Sequence, residues 1–365
     1  MNPSSEIIEI TSFDGYTLKG RLTLPGVDTI DKIVIFVNSS GPHTYDTLRN
    51  FGAGVVRHND FYADRFREHG IAFFSYNTRG VSLGDTPPLY YTIDEDQYLT
   101  YLPSNQIEDI YCMIKAIKAG DPRLANSKVL LWGHSEGAVI APLFAEKYPG
   151  MVDALILLGV PADNMRDVLM WQNSGGSSMV FFRKNFDRDG DGRISKAEYQ
   201  ADPNKVVASV LQNAPFEQID VSKDGYIDEQ DFFDVLRGRR EAIFRAIENR
   251  DNLWLKNNYK PNNLTSTSEW FLTSEWFLEH FSLKSNMELL PSLDLPIYIF
   301  NGTLDPNCDV NSMYALKNKV EQMKKSNIKV NIFEGHDHEL NIADYIFRAV
   351  MPEGLQAAFD AVYEF

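Results

Sequence analysis

The sequence predicts an α/β fold: a mostly parallel, doubly wound sheet interrupted by a largely helical insertion. Three observations lead there. Short, nearly continuous apolar runs recur along the chain, helical patterns separate the earlier ones, and this alternation stops at Pro161 and resumes only at Pro296.

The first strands are of another kind. Residues 6 to 11 and 16 to 24 read as two strands joined at Asp14-Gly15, a hairpin signal. The apolar runs follow: "KIVIFV" (32 to 37), "GIAFFSY" (70 to 76), "KVLLWG" (128 to 133), "DALILLG" (153 to 159), "PIYIFNG" (296 to 302) and "KVNIFEG" (329 to 335). Runs without alternation fit strands covered on both faces, as in a parallel sheet. Helices are expected at 60 to 69, at 105 to 119 and at 136 to 147, the last closed by Pro149-Gly150. Strand and helix in alternation require right-handed crossovers, hence helices on both faces.

The gap divides the chain into a core, residues 1–161 and 296–365, and an insertion, residues 162–295. Between Asp187 and Asp231 the insertion holds eleven Asp or Glu against five Lys or Arg. It also contains "TSEWFL" twice in tandem, at 267 to 272 and 273 to 278. A six-residue step turns a helix by about 240°, so Trp270 and Trp276 cannot share a helix face and are expected to have different jobs, one in the core and the other lining a pocket, although two core tryptophans are the favoured reading.

Composition narrows the function. The 365 residues include 51 acidic and 35 basic side chains, a formal charge of -16, which disfavours nucleic acid and anionic membrane as partners. Cys112 and Cys308 are the only cysteines and lie far apart, so neither a disulfide framework nor a cysteine-rich zinc site is expected. The N-terminus "MNPSSEIIEITS" lacks a basic start followed by an apolar run, and "ALILLGV" at 154 to 160 is too short to span a bilayer. A cytoplasmic location is expected; the sequence does not fix an oligomeric state.

"LLWGHSEGAVIAPLFAEKYP" places Gly133-His134-Ser135-Glu136-Gly137 between an apolar strand and an amphipathic helix. A sharp turn in that setting exposes the serine hydroxyl above the sheet, and the helix start favours the negative charge of acyl transfer. A serine hydroxyl needs a base to take its proton and a carboxylate to orient that base. Asp305 in "IYIFNGTLDPN" lies just past an apolar strand and is the candidate carboxylate. Only His336 and His338, in "FEGHDHEL", follow it. The residues themselves barely separate the two; His338 is favoured.

Several segments together resemble a known family. "NSSGPHTYD" is similar to an oxyanion segment "HGSGP", "SYNTRGVSLGD" to "YDxRGxGxS", "GHSEGA" to a nucleophile elbow, and "GTLDPN" and "GHDH" to segments carrying the acid and the histidine. Over roughly residues 6 to 165 and 270 to 363 the chain resembles the α/β-hydrolase fold and its bacterial esterase and peptidase-like members. The resemblance implies a Ser135, Asp305, His338 triad, the histidine read as Gly335-x-x-His338. It also implies an oxyanion hole from the backbone N–H groups of Ser40 and Glu136. Asn38-Ser39 departs from the family's His-Gly at the oxyanion segment. Glu136 is expected to act through its backbone, its carboxylate meeting solvent or a nearby loop. A serine nucleophile excludes the dehalogenase and epoxide hydrolase chemistry that this fold performs with an aspartate.

The insertion carries a separate signal. Calcium takes six to eight oxygens at about 2.3 to 2.6 Å, which a twelve-residue loop supplies from positions 1, 3, 5, 7, 9 and 12, with glycine at 6. "DRDGDGRISKAE" complies with Asp187, Asp189, Asp191, the Arg193 carbonyl, Ser195 through water, and Glu198, turning at Gly192. "DVSKDGYIDEQD" follows with Asp220, Ser222, Asp224, the Tyr226 carbonyl, Asp228 and Asp231, turning at Gly225. Ser222 removes a charge and Asp231 is a methylene shorter than Glu, so weaker calcium binding, with magnesium more competitive, is expected there. The loops start 33 residues apart with Ile194 and Ile227 both at position eight, as in paired EF-hands. Helical patterns flank both loops.

The expectation is therefore a serine hydrolase that cleaves small carboxylic esters through an acyl-enzyme, with a helical cap holding one or two Ca2+ ions. The alternatives are a catalytically inert calcium-binding scaffold, or a peptidase or thioesterase built on the same triad.

Overall fold

The computed structural model describes residues 4–50, 54–87, 90–260 and 270–365. Eight strands form the main sheet: β1 (Ser4–Thr11), β2 (Thr17–Leu24), β3 (Lys32–Val37), β4 (Ala72–Tyr76), β5 (Lys128–His134), β6 (Ala154–Leu158), β7 (Ile297–Gly302) and β8 (Ile328–Phe333). Their order is β1-β2-β4-β3-β5-β6-β7-β8. The hairpin β1–β2 and the pair β2–β4 are antiparallel; every other pair is parallel. All six apolar runs of the sequence are strands of this sheet.

Successive side chains of the central strands enter two separate cores, which is why their sequences show no polar alternation. Ile33, Ile35 and Val37 of β3 face one side with Val129 and Leu131 of β5. Helices α2 (Pro103–Gly120) and α3 (Gly137–Lys147) and α8 (Val310–Gln322) cover that side through Ile110, Phe144 and Leu316 among others. Val34, Phe36, Leu130 and Trp132 face the other, under α1 (His58–Glu68) and α9 (Glu353–Glu364), where Phe66 and Phe359 meet the Trp132 indole.

Between β6 and β7 the chain leaves the sheet and folds mainly as helices. Among them are α4 (Met165–Gln172), α5 (Gly176–Phe186), α6 (Arg237–Glu248) and α7 (Ser274–Ser282). Two small cores hold this cap together. Ile243, Ile247 and Leu255 pack with Phe271, Trp276 and Phe277 against Tyr98 and Tyr101 of the main domain. Phe182, Phe186, Ile194, Tyr199, Phe216 and Ile227 make the other. No helix among the described residues is long and apolar enough to cross a membrane.

One polar knot fastens the hairpin to the sheet. Arg79, whose side chain is 2% exposed, donates to Asp109 of α2 (Nη2–Oδ1 2.6 Å, Nε–Oδ2 2.7 Å) and to Asp14 in the β1–β2 turn (2.6 Å). Ser12 donates to the same Asp109 carboxylate. A buried guanidinium is tolerated because a fork of donors meets two carboxylates. Arg79→Ala strands the Asp109 carboxylate away from water and is expected to cost about 3–5 kcal/mol of stability. Urea unfolding measures it, and Asp109→Leu in the same background should recover part of the loss.

Candidate active site

β5 ends at His134, and α3 starts three residues later at Gly137. The turn between them puts Ser135 at φ +56°, a left-handed conformation that a residue with a Cβ adopts at a cost. Neighbouring backbone enforces it. A Cβ on Gly133 would lie 2.4 Å from the Gly137 carbonyl oxygen, and one on Gly137 would lie 2.1 Å from that of Val37. Both positions must be glycine for β5, α3 and β3 to come this close. The Ser135 N–H donates to the Leu158 carbonyl at 3.0 Å, which pins the bend to β6. Its side chain is left half-buried, facing a cavity of about 220 Å³.

His338 lines the same cavity. Its Nδ1 lies 2.7 Å from Asp305 Oδ2, and Asp305 is 2% exposed. The other Asp305 oxygen accepts the backbone N–H groups of Asn307 (2.7 Å) and Cys308 (3.1 Å). This loop therefore fixes the carboxylate before the imidazole reaches it. Burial disfavours the His338 imidazolium, but the Asp305 carboxylate outweighs it and holds His338 above the ordinary histidine value. His336 instead turns away, its Nδ1 on the Glu334 carbonyl at 3.0 Å. No hydrogen bond joins Ser135 Oγ to His338 among the described residues. Such contacts are often loose before substrate binds. Cys308 also lines the cavity, its Sγ on the Gly159 carbonyl at 3.5 Å, and burial pushes its thiol well up.

The backbone N–H groups of Ser40 and Glu136 have no hydrogen-bond acceptor among the described residues, and both residues line the cavity. Ser39, where the sequence departs from the family's pattern, places its hydroxyl 2.9 Å from His43 Nε2. Burial, with a smaller contribution from Arg49, lowers His43 to about 4, and burial together with His338 lowers His134 to about 4. Both imidazoles are therefore neutral at physiological pH.

The Glu136 side chain corrects an expectation. It does not meet solvent: it is wholly buried, and its carboxylate collects four side-chain donors. Trp276 Nε1 (2.8 Å) and His280 Nε2 (2.9 Å) come from α7 of the cap, Gln106 Nε2 (2.7 Å) from α2, and the Tyr101 hydroxyl from the segment before α2. A buried carboxylate needs such partners, and here they tie the residue beside Ser135 to the cap. The spacing of Trp276 and His280, one turn apart on α7, is the signal that could have revealed it.

The tandem tryptophans do differ. Trp276 is buried in α7, whereas Trp270 is half-buried ahead of that helix and sits against Gly41, where a Cβ would lie 2.1 Å from the indole nitrogen. Both line the cavity with Met165, Val168 and Leu169 of α4. The opening of the first repeat, residues 267–269, lies outside the described residues.

The two acidic loops lie side by side through an antiparallel pairing of Ile194–Ser195 with Tyr226–Ile227, so that Ile194 faces Ile227. In the first loop the carboxylates of Asp187, Asp189 and Asp191 bring oxygens within 4.8 Å of one another. Asp187 accepts the N–H groups of Gly190 (2.7 Å) and Gly192 (3.0 Å), and Glu198 those of Arg188 (2.9 Å) and Ser195 (2.8 Å). Such a cluster of hard oxygen donors fits a divalent cation. The second loop differs in two ways. Asp231 is buried, accepting from Ser222 and Asp228 at 2.9 Å each, and Arg193 of the first loop takes hold of Asp224 (2.7 Å) and Asp228 (3.3 Å). A guanidinium thus competes there for the carboxylates that a cation would use.

Comparison with known proteins bears on the fold and on the acidic loops. Residues 53–174 match the family described as serine aminopeptidase, S33, and residues 184–201 and 214–235 match that described as EF hand. No curated protein sequence gives a match. Among solved structures, a thermostable carboxyl esterase from Bacillus coagulans is similar at 17% identity and TM-score 0.54, covering 99% of this chain and 97% of that one. An acylaminoacyl peptidase from Pyrococcus horikoshii has 12% identity and TM-score 0.51, covering all of this chain but 41% of that one. An alpha/beta hydrolase from Penicillium sp. sh18 has 15% identity and TM-score 0.50, covering 99% and 97%. The chain is thus an α/β-hydrolase-fold protein, S33-like in its first half, whose helical cap carries a pair of EF-hand motifs.

Proposed function

We propose that the protein is a serine hydrolase of carboxylic esters, with residues 1–161 and 296–365 as the catalytic core and 162–295 as a cap. One observation carries this reading: a serine held at φ +56° opens on the same cavity as an imidazole that a buried carboxylate grips at 2.7 Å. Ser135 Oγ attacks the acyl carbon while its proton passes to His338 Nε2. Asp305 holds the Nδ1–H and so sets both tautomer and ring direction. Charge growing on the acyl oxygen is met by the Ser40 and Glu136 N–H groups. His338 returns the proton to the leaving alcohol, then deprotonates the water that frees the acid. The apolar wall from α4 and the two tryptophans suits an uncharged acyl or aromatic portion of the substrate.

In the cap, Asp187, Asp189, Asp191, the Arg193 carbonyl and Glu198 would hold calcium. Asp220, Ser222, Asp224, the Tyr226 carbonyl and Asp231 would hold a second ion more weakly, with magnesium competing. Bound calcium would neutralise the clustered carboxylates and order the loops.

A fluorophosphonate probe should label the protein, and Ser135→Ala should abolish both labelling and hydrolysis of a short nitrophenyl ester, lowering kcat by about 10⁴-fold or more. An unlabelled native protein would favour the inert scaffold instead. His338 must be neutral to accept a proton, and its value is raised. The acid limb of kcat/KM should therefore lie above the ordinary histidine value of about 6.5. Asp305→Asn should move that limb downward and lower kcat about 10⁴-fold. Chelation should lower Tm by about 2–4 °C for each kcal/mol of lost cap stability. Added calcium should restore it, and Glu198→Gln should remove most of that response. A melting curve indifferent to chelator and calcium would leave the loops without a metal.

A further inference from the structure

Among the described residues, two groups of metal-ligating side chains bring their donor atoms within 4.8 Å of one another. The first acidic loop is one. Asp305, Cys308 and His338 are the other, and ester cleavage as derived above uses the side chains of only two of these three. The Cys308 thiol is left without a task. Gly159 touches both it and the histidine: its carbonyl oxygen lies 3.5 Å from Cys308 Sγ, and a Cβ on it would lie 2.8 Å from both Nδ1 and Cε1 of His338. The thiol is thereby brought to the Nδ1 edge of the imidazole, the edge that Asp305 holds at 2.7 Å.

Burial, and then the Asp305 charge, keep this thiol protonated. A thiolate beside a carboxylate would set two negative charges in one buried spot, and a divalent cation between them relieves both while displacing the thiol proton. Sulfur, imidazole nitrogen and carboxylate oxygen together suit a borderline-soft ion of the zinc class, which takes three protein ligands and leaves a fourth position open. Calcium, which takes six or more oxygens, fits the acidic loops instead. The two kinds of ion would therefore sort between cap and cavity. Access is provided by the cavity itself, since Cys308 and His338 both line it.

We propose that Asp305, Cys308 and His338 form an inhibitory site for Zn2+ or an ion of its class, which shuts the enzyme by occupying two members of its own triad. The block of turnover rests on the catalytic reading above; the ion site does not. Binding starts from the Cys308 thiol and from neutral His338 with its proton on Nδ1. The ion bonds to Sγ, Nδ1 and an Asp305 oxygen, the thiol proton leaves to solvent, and the imidazole proton passes from Nδ1 to Nε2. Two anionic ligands then balance the dication. Tetrahedral bonds of about 2.0–2.3 Å set neighbouring ligand atoms roughly 3.3 Å apart, so the 2.7 Å contact between Nδ1 and Asp305 opens by about half an ångström. An imidazole with its proton on Nε2 has no lone pair for the Ser135 hydroxyl, and the carboxylate that oriented it is taken up by the ion.

The test uses the full chain with calcium in excess to fill the acidic loops. Co2+, a coloured stand-in for zinc, should give a near-ultraviolet thiolate-to-metal absorption that saturates at one ion per chain. That band should survive Cys112→Ser, which removes the other thiol, and vanish in Cys308→Ala and Cys308→Ser. The serine variant keeps the side chain's size should alanine disturb the fold, and an unchanged melting curve certifies each. Zn2+ should also stop hydrolysis of nitrophenyl butyrate, and a zinc-selective chelator should restore it. Each Cys308 variant, compared with its own metal-free rate, should need at least about tenfold more Zn2+ for half inhibition, since losing even an outer partner of a metal ligand costs about 10–100-fold in affinity. No band in the native protein, a band that persists without Cys308, or zinc inhibition indifferent to Cys308 overturns the proposal. A native protein that fails to hydrolyse the ester would sink the catalytic reading, and the cobalt band would still decide the ion site.

Discussion

The Glu136 carboxylate, buried with four donors around it, is the constraint on which the site depends. It follows the strained serine directly, so whatever fixes Glu136 also fixes the peptide that supplies one proposed oxyanion donor. Two of its partners belong to the core and two to α7 of the cap. The cap is consequently more than a cover resting on the sheet edge. Taking Trp276 and His280 away from this buried carboxylate while it stays buried would cost several kcal/mol. The same helix is tied down at other points, for Glu279 accepts the Ser104 N–H at 2.6 Å and the Phe281 carbonyl accepts from Asn164 at 3.3 Å.

That arrangement explains how a strained turn persists. Ser135 at φ +56° is unfavourable in isolation, but four surroundings over-determine it. The two glycines admit the crossing backbones, β6 accepts the Ser135 N–H, α3 begins at once, and Glu136 is anchored sideways. On the opposite side of the cavity the Asp305 loop is fixed in the same manner, its carboxylate satisfied by Asn307 and Cys308 before His338 adds the third bond. Ser135 and His338 are thus each held by bonds that do not involve the other, and the proposed proton transfer between them is left for substrate to complete.

The sheet was legible in the sequence because continuous apolar runs point to strands covered on both faces: all six runs are strands of it, five of them largely buried and the last, at the sheet edge, only partly so. The acidic loops were legible because metal ligation fixes residue types at fixed offsets within twelve positions. The histidine was legible only through the family's spacing, which favoured His338: His336 and His338 share a loop and composition, and in the fold His338 meets Asp305 while His336 turns to a backbone carbonyl. Glu136 was misjudged for a related reason. A charged side chain on a surface turn normally faces water, and its partners Tyr101, Gln106, Trp276 and His280 come from segments up to 144 residues away. No local pattern records a satisfied buried charge whose donors are that dispersed.

The position of the EF-hand loops follows from how the cap is threaded. Helix α5 enters the first loop, and the helix before it, α4, lines the catalytic cavity through Met165, Val168, Leu169 and Gln172. The joint between them is tight: a Cβ on Gly176 would lie 2.2 Å from the Trp171 indole, and one on Gly175 would lie 2.7 Å from Phe232, which leaves the second loop. Both loops therefore press on the same joint, one through the chain and one through Phe232. Phe182, Phe186, Ile194 and Ile227 pack the two loops into one shared core. The loops therefore reach the wall of the cavity through two helices in contact, α5 and then α4, which ends at Gln172.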